Sequence, residues 1–213
     1  MSVSVRILKS NHRCRPKGNY PKTTITVHST ANQHSTPQNE RDWLDNKSNT
    51  RIASWHYVVG EDTVIQALPD SEMAFHCGIA QGNKYSLSVE ICESGDRAKT
   101  LKNAASLVAE KLNEHGLKIT DIKKHYDWTS KDCPRILIDK DFIKGGMDWN
   151  WFIREVESNI MSIEKIKMIV NGQQKDVDRI LLNGTNYIKI RDVADSLGYN
   201  ISNNGSIPVL TKK

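Results

Sequence analysis

The sequence predicts an α/β fold, a central mixed β-sheet flanked by helices, with a small C-terminal α+β module. Three observations lead there. Short β-branched or alternating runs recur through the first 160 residues, segments with apolar residues three and four apart are interleaved with them, and beyond residue 167 the chain changes to short runs bounded by Asn-Gly pairs.

Residues 23–28, TTITVH, and 55–59, WHYVV, read as strands because β-branched and aromatic side chains suit a pleated, half-buried surface. Between them Pro37, Gln38, Asn39 and Glu40 suit a turn into a short helix around Trp43 and Leu44. Gly60, Glu61 and Asp62 make a turn and TVIQAL returns as a strand, so residues 55–68 read as a hairpin. YSLSVEIC, 85–92, alternates, with Tyr85, Leu87, Val89 and Ile91 on one face and Ser86, Ser88, Glu90 and Cys92 on the other. After Asp96, Leu101, Ala105, Val108 and Leu112 mark an amphipathic helix that Gly116 closes. KIT, 118–120, reads as a short strand, Pro134 prevents helix immediately around Cys133, and residues 148–160 form a helix with Trp151, Phe152 and Val156 as its apolar side.

The C-terminal texture predicts hairpins at Asn171-Gly172 and Asn183-Gly184, a short helix in RDVADSLG stopped by Gly198, and a last strand pair around Asn203, Asn204 and Gly205. The expected organisation is a main domain over 1–160, a linker over 161–167 and a small module over 168–213, with the boundary near residue 164.

The chain has 213 residues, 30 Lys plus Arg against 25 Asp plus Glu, a net charge of +5, and 38% apolar residues. That suits one domain with an appendage and excludes wholesale disorder. No apolar run reaches the roughly 18 residues of a membrane-spanning helix. The N-terminal stretch lacks the apolar segment of about 7–15 residues that a secretory signal needs, so synthesis and initial retention in the cytoplasm are expected. Cys14, Cys77, Cys92 and Cys133 form no CxxC, which argues against a disulfide framework or a zinc ribbon. Residues 1–39 carry Arg6, Lys9, Arg13, Arg15, Lys17 and Lys22 and no acidic side chain. A polyanion-facing surface and a merely solvated basic stretch both fit; with few aromatics, nucleic acid is not an expected partner.

A hydrolytic zinc ion needs three protein ligands and an open position, and imidazole and thiolate suit it. His28 ends a strand and is followed by the small residues Ser29, Thr30 and Ala31. His125 and Cys133 flank a loop that contains Lys131. Taken alone, that spacing is neither the short pair of a zinc finger nor a helical HExxH.

Five ordered pieces between about residue 20 and residue 155 carry a resemblance: ITVHSTAN, SWHYVV followed by IQALPD, AFHCG, SLSVEICESGD, and HYDWTSKDCP. Together they resemble the zinc-dependent N-acetylmuramoyl-L-alanine amidases of the phage amidase-lysozyme and peptidoglycan recognition protein superfamily. The resemblance implies one Zn2+ held by His28, His125 and Cys133, with Glu90 as general acid/base and Lys131 supporting the tetrahedral intermediate. Some relatives place a tyrosine just before the SWHYVV histidine; here it is Trp55, which cannot exchange a proton. His76 falls where the family lines its groove, so His76, Trp55 and His56 are expected on the substrate side. His56 is equally able to orient a ligand or to pack on the sheet, Glu90 can be an arm of a structural ion pair, and Cys133 a buried thiol.

The implied function is that of a phage or prophage endolysin that hydrolyses the amide between N-acetylmuramic acid and L-alanine in bacterial peptidoglycan. It would stay in the host cytoplasm until lysis and then act at the cell wall, with anionic wall polymers as a further partner of the basic N-terminal segment. The alternative is a non-catalytic peptidoglycan-binding protein on the same fold. IVNGQ, LLNGTNYIKIRDVADSLGY and SNNGSIPV resemble the small stalk-like repeat at the N-terminus of copper amine oxidases, which in this setting implies wall anchoring or a packing appendage.

Overall fold

The computed structural model describes residues 3–160, 163–182, 185–205 and 207–213, and the chain divides into two compact units, Met1–Asn159 and Ile160–Lys213. The first unit is built on one mixed sheet of β1 (Val3–Val5), β2 (Thr24–Ser29), β3 (Tyr57–Val59), β4 (Val64–Gln66), β5 (Ser86–Ile91) and β6 (Ile122–Lys124). Their spatial order is β1-β4-β3-β5-β2-β6. Only the β3–β4 hairpin is antiparallel; every other neighbouring pair is parallel.

β2 and β5 sit side by side in the middle, and Ile25, Val27, Leu87, Val89 and Ile91 are sealed from solvent there. The polar row of β5 is also covered: Ser86 and Ser88 are buried, and Ser86 shares a hydrogen bond of 2.6 Å with Thr26 across the strand pair. The alternation therefore separates an apolar layer from a hydrogen-bonded buried layer, as a central parallel strand covered on both faces requires.

Helix α1 (Pro37–Asp45) begins as its sequence suggests, with Thr36 accepting the Asn39 amide in a capping box and Pro37 in the first turn. α2 (Ala80–Tyr85) was not legible, because AQGNKY carries a glycine and no apolar period. α3 (Arg97–His115) starts on the Asp96 side chain, which accepts the Lys99 amide, and ends on Gly116 at φ 63°. It buries Leu101, Ala105, Val108 and Leu112 as their spacing predicts, and Ala104 with them. α4 (Tyr126–Thr129) and α5 (Arg135–Ile138) bracket the Cys133 loop, and α6 (Trp149–Ile160) buries Phe152 and Val156.

Two expectations change, and one strand is added to those predicted. KIT is not a strand: Ile119–Asp121 is a 3-10 turn and β6 begins at Ile122. The Asp121 carboxylate captures the Lys118 amide at 2.8 Å, a local closure that competes with pairing. β1 lies outside the predicted strands, although the residues there alternate, and it pairs in parallel register with β4. The basic N-terminal segment is partly consumed, by two internal contacts and one surface ion pair. Arg6 pairs with Asp42, Arg15 makes a two-pronged contact with Glu72, and Lys22 is buried with its ammonium on the Glu72 and Lys84 carbonyls. What remains of the basic surface is Lys9, Arg13 and Lys17.

The second unit contains β7 (Ile163–Val170), β8 (Gln173–Leu182) and β9 (Thr185–Ile188) in one antiparallel sheet, α7 (Ile190–Val193), and the pair β10 (Tyr199–Asn204) and β11 (Ile207–Lys212). Asn171 and Gly172, both at positive φ, form the two-residue β7–β8 turn. Asn183-Gly184 lies outside the described residues. Residues 163–167, expected as linker, are strand. Their charges are cross-strand partners, Lys165 opposite Asp178 and Lys167 opposite Asp176, rather than the solvated run of a connector. Val170, Val177 and Val193 form a small core with Ile166, Met168 and Ile188 packed against it. No helix among the described residues is long and apolar enough to cross a membrane.

Candidate active site

Parallel pairing places His28 of β2 directly opposite Glu90 of β5. The His125 amide at the end of β6 donates to the Val27 carbonyl at 3.3 Å, which brings its side chain beside His28 at the same sheet end. The two rings meet edge to face with centroids 4.8 Å apart, and their Nδ1 atoms are 3.0 Å apart. Cys133 completes the group, its Sγ 3.7 Å from His28 Nδ1. All three residues are buried, and their donor atoms lie within 4.8 Å of one another.

Burial, the neighbouring imidazoles and the Lys131 charge hold His28 well below its ordinary pKa, and burial with Lys131 brings His125 down to about 4. Both rings are therefore neutral, as metal donors must be. Burial, and after it Glu90, pushes the Cys133 thiol up to about 12, so a metal must displace that proton on binding. Two imidazoles and a thiol converging on one point fit a single zinc ion.

His28 also faces a second group. Its Nε2 is 3.0 Å from His76 Nδ1, and His28, His76 and Cys77 likewise cluster. The two sets differ at the sulfur. A cavity of about 740 Å³ is lined by His28, His125 and Cys133, and of the second set by His28 and His76 but not by the fully sealed Cys77. A catalytic metal needs an open position, and the first set is the one whose three residues all reach the cavity.

Glu90 and Lys131 line the same cavity. Glu90 is half-buried, and its Oε2 finds no hydrogen-bond partner among the described residues. Burial first, then the Glu40 carboxylate, raises its pKa to about 8 against the opposing charges of Lys131 and Arg51. A carboxyl that titrates near neutrality in a cleft is suited to proton transfer. Among the described residues no ion pair holds Glu90, so the salt-bridge alternative has no support in its surroundings. Trp55 stacks on Trp43 at 6.0 Å on the cavity wall, with its indole N–H buried and unpartnered among the described residues.

His56 belongs elsewhere. It is fully buried, its Nδ1 accepts the Ser88 amide at 3.0 Å, and its Nε2 donates to the Glu72 carbonyl at 2.9 Å. With no exposed surface it cannot touch substrate; it pins β5 to the segment before His76.

Several positioning residues had no signal that sequence reading could use. The fully buried Glu93 carboxylate accepts the Ala31 amide at 3.0 Å and a two-pronged contact from Arg135, tying the loop after His28 to the helix after Cys133. Asn83 accepts the His76 and Cys77 amides at 3.0 and 2.8 Å. Glu40 and Arg51 enter the cavity from α1 and the loop that follows it.

Residues 18–136 match the family Amidase_2, N-acetylmuramoyl-L-alanine amidase. The chain is 36% identical over 130 residues to the N-acetylmuramoyl-L-alanine amidase XlyA of Bacillus subtilis (strain 168), covering 58% of this chain and 43% of that protein. Among solved structures it is similar to the catalytic domain of XlyA, with a TM-score of 0.66 and 30% identity over 73% of this chain and 99% of that one. A mutant endolysin from Bacillus subtilis gives a TM-score of 0.66 and 30% identity over 73% of this chain and 98% of that one. The chain spans about half the length of the curated relatives it matches. The family match takes in more than half of the chain and every donor of the His28, His125 and Cys133 cluster, and the chain therefore belongs to the N-acetylmuramoyl-L-alanine amidase family.

Proposed function

We propose that this protein is a peptidoglycan amidase of the phage or prophage endolysin kind, hydrolysing the amide between N-acetylmuramic acid and L-alanine. The observation that carries the reading is the convergence of His28, His125 and Cys133 on the cavity floor with Glu90 in register beside His28. His28, His125 and Cys133 would hold one zinc ion. Bound there, zinc supplies Lewis acidity, polarising the carbonyl to be cleaved and making water nucleophilic near neutral pH.

The chain's own residues do the rest. Glu90 takes the proton of the attacking water and returns it to the nitrogen of L-alanine as the bond breaks. The Lys131 ammonium opposes charge that develops on the carbonyl oxygen, an interaction that strengthens only toward the transition state. Trp55, stacked on Trp43, contributes a flat aromatic wall to the cavity that receives the substrate. The retained thiol and the unpaired carboxyl favour this reading over a non-catalytic binding protein, which needs neither.

The endolysin reading is supported by the likeness to an endolysin from Bacillus subtilis and implies action at the host wall once the membrane is breached. The second unit, by its stalk-like sequence, serves as a wall-targeting module that raises local concentration at the polymer. Lys9, Arg13 and Lys17 are the residues left to meet anionic wall polymers.

The test is digestion of purified peptidoglycan with and without a chelator, followed by mass analysis. New L-alanine amino termini are expected, lost on chelation and in Cys133→Ser. Reducing sugar ends or cut cross-bridges would refute the assignment.

A further inference from the structure

We propose that His76 is a positioning residue that selects the tautomer of His28, and that the segment 75–83 thereby prepares that imidazole to donate to the metal. This rests on the zinc reading above. A neutral imidazole carries one ring proton, donating from one nitrogen and accepting at the other. His28 Nδ1 faces His125 and Cys133, so to present a lone pair there the ring must carry its proton on Nε2. That N–H needs an acceptor, and at 2% exposure water does not supply one. The nitrogen it meets is His76 Nδ1 at 3.0 Å, with the rings edge to face at 5.1 Å.

Cys77 Sγ also lies 3.0 Å from His76 Nδ1, but a thiol is the weaker donor and has Thr26 Oγ1 as a second acceptor at 3.7 Å. The His76 lone pair is thus left for His28.

The segment is built to hold that geometry. Asn83 accepts the His76 and Cys77 amides through one side-chain oxygen, and its own carbonyl accepts the Ala74 amide at 3.1 Å. The buried Lys22 ammonium donates to the Glu72 carbonyl at 2.7 Å and the Lys84 carbonyl at 3.0 Å, the two residues that bracket the segment. A side chain meant only to touch substrate would not need its ring nitrogen committed inward.

The full-length protein and its His76→Ala, His76→Phe and His76→Asn variants decide the matter through two readouts. Zinc affinity, measured by competition with a chromophoric chelator, is expected to fall about 10–100-fold in His76→Ala and His76→Phe, as loss of an outer partner does elsewhere. His76→Asn, whose amide oxygen can stand where Nδ1 stood, is expected to restore most of it. The 15N resonances of His28 in the zinc-free protein are expected to report an Nε2–H tautomer in wild type and in His76→Asn, and a mixture in His76→Ala. Wild-type zinc affinity and an unchanged His28 tautomer in His76→Ala, with only KM raised, would overturn the proposal in favour of substrate contact. Loss of zinc in Cys77→Ala as complete as in Cys133→Ala would overturn it in favour of metal bound by His28, His76 and Cys77. The nitrogen readout needs no metal, so if wild type and His28→Ala bind zinc equally, the zinc reading fails separately from the tautomer role.

Discussion

Glu90 illustrates how much one side chain depends on its surroundings. Its strand position is legible from alternation, but the burial that raises its pKa and leaves Oε2 unpaired comes from packing. Glu90→Gln keeps shape and removes the proposed proton shuttle, so turnover is expected to fall about 10²–10⁴-fold with zinc content unchanged, checked by metal analysis beside the rate. Wild-type turnover in that variant would remove Glu90 from the chemistry. Asp70 is a contrasting carboxylate. Burial pushes its pKa up, but hydrogen bonds from His115 and Tyr57 and the charge of Lys111 outweigh it and hold the group at about 2. Because the folded value lies below the unfolded one, the stabilisation is present above about pH 4 and is lost as pH falls through about 2. Asp70→Asn should therefore cost on the order of 2 kcal/mol at pH 7 in urea unfolding, with the gap to wild type closing as the medium is acidified.

Among the elements, α2 shows propensity and packing in opposition. Alanine in place of Gly82 would favour the helix by about 1 kcal/mol. A Cβ at Gly82, however, would stand 2.6 Å from Cys77 Cβ and 2.8 Å from its sulfur, a crowding that costs about 1–3 kcal/mol. Packing wins: Gly82→Ala is expected to lower the melting temperature by several degrees and to weaken zinc binding through displacement of the His76 segment, read by calorimetry and chelator competition. The same balance explains which elements could be read in advance. α3 has four well-spaced apolar residues, an aspartate at its start and a glycine at its end, all local signals. β1 and β6 are three residues each and exist because a neighbouring strand pairs with them. Local chemistry misled at KIT, where Asp121 closes a turn instead.

For the whole chain, the division into Met1–Asn159 and Ile160–Lys213 makes a test of independence direct. The first unit holds the sheet and every residue proposed for catalysis, so a fragment ending at Asn159 is expected to fold cooperatively and to cleave purified peptidoglycan at a rate near that of the full chain. Circular dichroism and release of L-alanine amino termini check this. On intact cells the fragment is expected to lag, if the second unit targets the wall; equal lysis would refute targeting. The second unit alone, with three buried valines at its centre, has a core near the lower limit for independent folding.

Periodicity, caps and turn residues were sufficient to place the α/β class, the β3–β4 hairpin, α1, α3, α6 and the β7–β8 turn, because those signals act between residues a few positions apart. The resemblance carried by five ordered motifs, not periodicity, implied His28, Glu90, His125 and Cys133 as site residues. Their meeting is another matter: His125 and Cys133 lie 97 and 105 positions from His28, and only the parallel register of β5, β2 and β6 converts that distance into atomic contact. Burial likewise belongs to the packed state. It removed His56 from the substrate side, turned His76 inward toward His28, and spent Arg15 and Lys22 on internal partners. A sequence states which side chains are available, while the desolvation and hydrogen-bond partners that set their chemistry arise only when distant segments close over them.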